Sequence, residues 1–207
     1  MDKIIKELIY YGKIAGMAGL TPGISGNISA RVSEKEILIT SSGSANGFLS
    51  EEDFSVVDFD GNFISGNPKP SSERMLHINY YKKRPDINAV FHCHSPYLTA
   101  FASSNRELNV NASPEMIYCF ESIPKAKYYI PGSVELSNET SKYFDNFDVV
   151  LMENHGVVVA GKNVKNVYLN LELCESYAKM LICSETFGGA NILPPQEVAK
   201  IKELRDN

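Results

Sequence analysis

The stretch DVVLMENHGVVVAG, residues 148–161, restricts the fold of this chain more than any other. It holds two apolar, β-branched runs, 148–154 and 156–161, that meet at His155. A parallel pair needs a crossover of roughly a dozen residues or more, and none fits here, so these strands pair antiparallel. SVVDFDGNFIS (55–65) repeats the constraint, because Asp60-Gly61-Asn62 is a turn-forming set that closes a hairpin. NISARVS (27–33) and EILITSS (36–42) are two further β-like runs. Helical patterns alternate with them. Ile4, Ile5, Leu8, Ile9 and Tyr11 recur among lysines and glutamates over 2–18, an amphipathic helix ended by Gly19 and Pro22. A second helix is expected over 71–83, capped by a serine after Pro70, and a third from Pro96 to Ser103. Others are expected over 135–147 and 163–187, with a short one after Pro194-Pro195. Helices alternating with turn-linked strands predict one α/β domain over 1–207, its central sheet mostly antiparallel or mixed and flanked by helices.

Composition excludes several functions. A length of 207 residues suits one core, and a net charge of −5 without any run of lysine and arginine argues against a nucleic-acid or anionic-membrane partner. The N-terminal segment MDKIIKELIYYGKIAGMAG is interrupted by charges throughout, unlike a signal peptide. No apolar run approaches the roughly 20 residues needed to span a bilayer. Cys93, Cys119, Cys174 and Cys183 are scattered without a C-x-x-C pair, which reads as buried thiols in a reducing, cytoplasmic setting.

INAVFHCHSPY (87–97) reads as a buried strand that ends in His92 and His94. Side chains alternate along a strand, so the two imidazoles share a face and Cys93 takes the other. Their α-carbons stand about 6.6 Å apart, close enough for both rings to close on one ion at about 2.0 Å each. His155 follows 61 residues after His94, again at the end of an apolar run. A short-spaced pair with a distant third ligand is the arithmetic of a catalytic zinc site, and three neutral imidazoles leave the ion a strong Lewis acid. The same residues also fit two polar side chains where a strand leaves the core, and spacing by itself does not establish convergence. His77 lies four residues beyond Glu73 on one helix face. It reads as a helix-surface or hydrogen-bonding histidine ahead of a fourth nitrogen ligand.

Four pieces now stand in order: GISGN (23–27), ITSSG (39–43), PSSE (70–73), and HCH with NHG (92–94 and 154–156). As an ordered set they resemble the class II aldolase/adducin family, over residues 5 to 190 or so. The resemblance implies that His92, His94 and His155 bind Zn2+ or another divalent metal. It implies that Glu73 holds the fourth metal position at rest and acts as acid and base once substrate displaces it. It further implies that Asn27, Ser42, Gly43, Ser71 and Ser72 hold a substrate phosphate. Helix N-termini present free amides that suit a dianion, which agrees with Ser71 and Ser72 opening a helix. Gly23, Gly26 and Gly43 let backbone approach an anion closely, although glycines at this spacing also serve ordinary turns.

By the same resemblance the chain is a metal-dependent aldehyde-lyase acting on a small sugar phosphate. The implied reaction cleaves a ketose 1-phosphate, L-fuculose 1-phosphate or a related 5-deoxy or pentulose 1-phosphate, into dihydroxyacetone phosphate and an aldehyde. The implied assembly is a homotetramer with sites at subunit interfaces. Glutamate at position 73 favours this aldolase branch over the ribulose-5-phosphate 4-epimerase branch, which places aspartate there. The resemblance also extends to a methylthioribulose-1-phosphate dehydratase and to a non-catalytic, adducin-like interaction module. The family's aldolases use a tyrosine whose place falls near Ser113 here, and another near the C-terminus, and neither has a match. Tyr118, Tyr128 and Tyr129 are candidate stand-ins, but each reads first as a core or interface aromatic.

Overall fold

The computed structural model describes residues 1–206. Its strands are β1 (Asn27–Arg31), β2 (Glu36–Thr40), β3 (Phe54–Asp58), β4 (Phe63–Gly66), β5 (Ala89–Cys93), β6 (Lys125–Ala126), β7 (Val149–Met152) and β8 (Gly156–Gly161). They form one sheet in the order β4-β3-β2-β1-β5-β8-β7-β6. Every neighbouring pair is antiparallel except β6 with β7. The sheet is therefore mixed and mostly antiparallel, as the short turns require.

The helices are α1 (Asp2–Met17), α2 (Arg74–Lys83), α3 (Pro96–Ala102), α4 (Pro114–Cys119), α5 (Val134–Ser141), α6 (Val164–Ser184) and α7 (Pro195–Asp206). Strand alternation sorts the core into two layers. Ile28, Phe91, Val157 and Val159 pack with Leu8 of α1, Leu98 of α3 and Leu171 of α6. Ile37, Ile39, Val90, Val158 and Ala160 pack on the opposite face with Leu76, Ile78 and Tyr80 of α2 and Leu136 of α5. The central strands β5 and β8 are buried at every position. Covered on both faces, they read in sequence as continuous apolar runs.

Register places the polar residues. Asn27 pairs with His92 and Ser29 with Val90 across β1 and β5, so positions 27, 29, 90 and 92 share the α2 face. His92 in turn lies opposite Val158 of β8. Met152 pairs with Gly156, which leaves 153–155 as a tight hairpin loop. Asn154 takes φ 52 in that loop, the only positive φ outside glycine among the described residues.

Several local expectations shift. The helix expected from residue 71 begins at Arg74 with Glu73 at its N-cap. Ser71 instead braces the turn before it, its Oγ accepting from the Glu73 amide at 3.2 Å. The helix expected over 135–147 ends at Ser141. The chain then closes through a turn that buries Phe144. The two-residue β6 and six-residue α4 are too short for periodicity to register. Cys93 and Cys174 are buried thiols, whereas Cys119 and Cys183 are exposed. No helix among the described residues is long and apolar enough to cross a membrane.

Candidate metal centre

Three backbone segments bring the histidines together. His92 lies inside β5, His94 lies just past the strand's end at Cys93, and His155 sits at the tip of the β7–β8 hairpin. Ring centroids are 5.0 Å apart for His92 and His94, 4.7 Å for His92 and His155, and 4.9 Å for His94 and His155. One nitrogen from each ring lies within 4.8 Å of the others. The N-cap of α2 closes the remaining side. Glu73 Oε2 is 3.1 Å from His92 Nε2, and Oε1 is 3.3 Å from His155 Nε2. His92 Nε2 and His94 Nε2 are 3.2 Å apart. Two ligands on a tetrahedral ion with bonds of about 2.0–2.1 Å stand about 3.3 Å apart. All three spacings match that edge.

Two glycines make the approach possible. A Cβ on Gly156 would lie 2.5 Å from the Cys93 carbonyl and 2.8 Å from the His94 ring. A Cβ on Gly26 would lie 2.4 Å from the His92 carbonyl, and its φ of +79 also favours glycine. Each motif glycine thus packs its loop against β5 where the histidines leave the sheet.

The protonation pattern calls for a cation. His92 Nδ1 donates to the Val157 carbonyl at 2.9 Å, so in the neutral ring Nε2 is bare. That bare nitrogen faces a carboxylate oxygen and a second imidazole nitrogen. Glu73 Oε1 and His155 Nδ1 are buried without a hydrogen-bond partner. Burial opposes charge on Glu73, but the charge and hydrogen bond of His92, then His155 and the Asn27 amide, hold its carboxyl well below the usual range. Burial equally opposes a charge on His92, and the Glu73 carboxylate overcomes it and raises the ring above its ordinary value. These opposite shifts are one interaction seen from two ends: a positive charge belongs between the two groups. His94 and His155 are lowered to about 4 by burial and then by the charge of His92, which leaves both neutral at pH 7. Once an ion displaces the His92 proton, three neutral imidazoles and an ionised carboxylate are the donor set that a divalent ion such as Zn2+ takes. The residues present fit the metal.

A cleft of about 390 Å³ opens over this centre. Its lining includes Asn27, Ser42, Gly43, Ser71, Ser72, Glu73, His94 and His155, so the motifs scattered from 23 to 156 meet in one place. His92 lies beneath them, fully buried. The ITSSG and PSSE segments are stitched together by a bridge between Ser41 and Pro70 and by the Ser42 amide donating to the Lys69 carbonyl at 2.8 Å. No lysine or arginine is among the lining residues, so an anion there meets hydroxyls and backbone amides. Ile24, Ser25 and Pro131 also line the cleft. Pro131 comes from a segment without a motif, and nothing in the sequence marked it. Tyr118, Tyr128 and Tyr129 are exposed and outside the lining.

Asn27 and His77 have unexpected surroundings. Asn27 is committed on both sides of its amide, donating from Nδ2 to Glu73 Oε2 at 3.0 Å and accepting at Oδ1 from His77. His77 is fully buried, not on the helix surface. Burial and then the charge of His92 lower it to about 3, so it is a neutral, hydrogen-bonding ring.

Residues 6–182 match the class II aldolase and adducin N-terminal domain. The chain belongs to the class II aldolase/adducin family, and its histidine triad places it among that family's metal-dependent enzymes. It is similar to the L-fuculose phosphate aldolase of Methanocaldococcus jannaschii, 40% identical over 160 residues that make up 77% of this chain and 85% of that protein. It is also 37% identical over 184 residues to the 3-oxo-tetronate 4-phosphate decarboxylase of Haemophilus influenzae, covering 86% of this chain and 87% of the relative. A solved L-fuculose 1-phosphate aldolase superposes with a TM-score of 0.91 at 30% identity, covering 100% of this chain and 98% of its own. That likeness confirms the α/β fold with its mixed, mostly antiparallel sheet.

Proposed function

We propose that this chain is a zinc-dependent aldolase that cleaves a ketose 1-phosphate to dihydroxyacetone phosphate and an aldehyde. L-fuculose 1-phosphate, or a related 5-deoxy or pentulose 1-phosphate, is the substrate class. The observation that carries this reading is the meeting of three imidazoles and one carboxylate at the floor of a cleft walled by hydroxyls and amides. His92, His94 and His155 hold the ion, which when bound supplies Lewis-acid stabilisation of the negative charge left on the three-carbon half. Ser42, Gly43, Ser71 and Ser72 hold the phosphate, together with Asn27, whose Nδ2 carries a second proton beyond the one given to Glu73. Because that group does not react, its binding energy orients the carbons that do. Glu73 has one oxygen tied to Asn27 and the other, Oε1, without a hydrogen-bond partner. On cleavage the C4 hydroxyl gives up a proton and Glu73, ionised at rest, takes one up. Oε1 then returns it to the carbon released by C3–C4 cleavage, and removes it in the reverse direction. The exposed Tyr128, Tyr129 and Ile130 stand beside Pro131 at the cleft and offer apolar surface for a neighbouring subunit, in keeping with a homotetramer.

Decarboxylation of a 3-oxo acid phosphate is the second reading, because a relative of comparable identity carries that name. Its phosphate would meet the same hydroxyls and amides, and aldol cleavage is placed first on the likeness to L-fuculose phosphate aldolases in sequence and in structure. The test is to assay the zinc-loaded protein on fuculose, ribulose and 5-deoxyribulose 1-phosphates and on a 3-oxo-tetronate 4-phosphate, with ribulose 5-phosphate as the epimerase control. We expect aldehyde release that stops with chelator and falls about 10²–10⁴-fold in Glu73→Gln. Carbon dioxide release without aldehyde would replace the aldolase by the decarboxylase. Full turnover in Glu73→Gln would remove Glu73 from the proton transfer.

A further inference from the structure

Behind Glu73 a buried hydrogen-bond chain runs away from the cleft, between the sheet and α2. Asn27 Nδ2 donates to Glu73 Oε2 at 3.0 Å, and Asn27 Oδ1 meets His77 Nε2. Across the ring, His77 Nδ1 is 2.7 Å from Ser29 Oγ, and Ser29 Oγ is 2.8 Å from the Tyr81 hydroxyl. His77 and Ser29 are fully buried and Tyr81 almost so. One premise orients every proton: an ionised Glu73 only accepts. Asn27 must then turn its NH2 to the carboxylate and its carbonyl to His77. His77 must carry its proton on Nε2, which leaves Nδ1 bare. Ser29 must give its single hydroxyl proton to Nδ1, and Tyr81 must donate to Ser29.

The chain ends there. Beyond Ser29 the Tyr81 hydroxyl meets only the Val90 backbone amide, and its ring lies under the Arg31 guanidinium, 5.0 Å from the centroid. A dead-end chain with all its protons ordered is an orienting device. It also accounts for a polar patch inside an otherwise apolar layer: β1 offers Asn27 and Ser29 on the face where Ile37, Ile39 and Val90 are otherwise packed. Both nitrogens of a buried imidazole need partners, and these two residues supply them.

We propose that His77 is a positioning residue. Through Asn27 it fixes which oxygen of Glu73, Oε2, is tied down and which, Oε1, stays without a hydrogen-bond partner beside His155. The inference rests on the role given to Glu73 in the proposed reaction. Without the Nε2 proton, Asn27 is free to turn over and face the carboxylate with its own carbonyl, and Glu73 loses its anchored geometry.

The test uses the cobalt-substituted protein, whose visible spectrum reports ligand geometry without turnover, beside kinetics of the zinc form. His77→Leu should change the cobalt spectrum and lower kcat about 10–100-fold, with KM moving less than about threefold. His77→Gln, which restores an N–H toward Asn27, should recover the spectrum and most of kcat. If His77→Leu does not fold, Asn27→Asp keeps the side-chain shape, removes the donor to Glu73 and should change the spectrum alike. A wild-type spectrum in His77→Leu or Asn27→Asp overturns the proposal, as does His77→Gln being as impaired as His77→Leu. If the wild-type protein turns over none of the ketose phosphates, the proposed reaction fails, while the spectra still decide whether His77 orients Glu73.

Discussion

On the face covered by α1, α3 and α6, the sheet presents Ile28, Ala30, Phe91, Cys93, Val157 and Val159 to an apolar layer. On the face covered by α2 and α5, Ile37, Ile39, Val90 and Val158 give way at one end to Asn27, Ser29, His77 and His92. Both layers are equally dry, but they are satisfied differently. The first needs volume filled, a demand that many side chains meet. The second needs each donor aimed at one acceptor, a demand that tolerates almost no exchange. Stability should therefore reside mainly in the first layer and chemistry in the second.

The largest test of that division is at the metal ligands. His92→Ala should abolish zinc retention and turnover together, read by metal analysis and assay. In the wild type, free zinc at a thousandfold its Kd should stabilise the fold by about 4 kcal/mol, and His92→Ala should lose that increment. The metal-free forms should differ as well, because there the His92 ring is the partner of the buried Glu73 carboxylate, so the zinc-dependent increment is what isolates the ion. A zinc-dependent gain that persists in His92→Ala would show that the ion binds elsewhere.

The opposite result is expected in the apolar layer. Leu171, on α6, is fully buried. Leu171→Ala should cost about 2–5 kcal/mol by denaturant unfolding, through lost burial and the cavity left behind. Turnover per folded molecule should stay within about twofold of wild type, since a site on this far layer adds nearly independently to one at the ligands. A tenfold loss of kcat in the folded variant would mean that the two layers are coupled through the sheet.

The same contrast explains what the sequence could show. The apolar layer and the sheet were legible because burial leaves runs such as GVVVAG and AVF in the chain, and because a hairpin at 153–155 permits only antiparallel pairing. His92 and His94 were legible as a pair through strand alternation. Their convergence with His155 was legible only by resemblance, because it depends on β5 lying beside β8, with His92 opposite Val158. The burial of His77 left no local trace, since its partners Ser29 and Asn27 lie 48 and 50 residues away. The overlong helix expected at 135–147 failed for a related reason. Phe144 is fully buried by a turn, and a single apolar residue reads alike on a turn or a helix.

Glu175, a buried carboxylate within the apolar layer, gives the smallest and most discriminating test. It projects from α6 on the apolar side, 7% exposed, yet both of its oxygens accept backbone protons, from Tyr97 and Leu98, at 2.8 Å each. Those amides open α3, whose orphan donors and dipole favour a carboxylate. The same turn follows directly on Ser95 and therefore anchors the segment that carries His94 away from β5. Glu175→Gln keeps the shape, but its NH2 faces a backbone N–H and leaves that donor unpaired, which should cost about 1–3 kcal/mol. If the apolar layer only fills volume, zinc affinity will be untouched and the cost will appear in unfolding alone. If the cap also sets where His94 stands, zinc affinity will fall together with stability, and chelator competition on the folded variant will register it. We expect the second outcome, because a ligand one residue beyond its strand has no sheet hydrogen bonds of its own to hold it, and the α3 cap is the next fixed point along the chain.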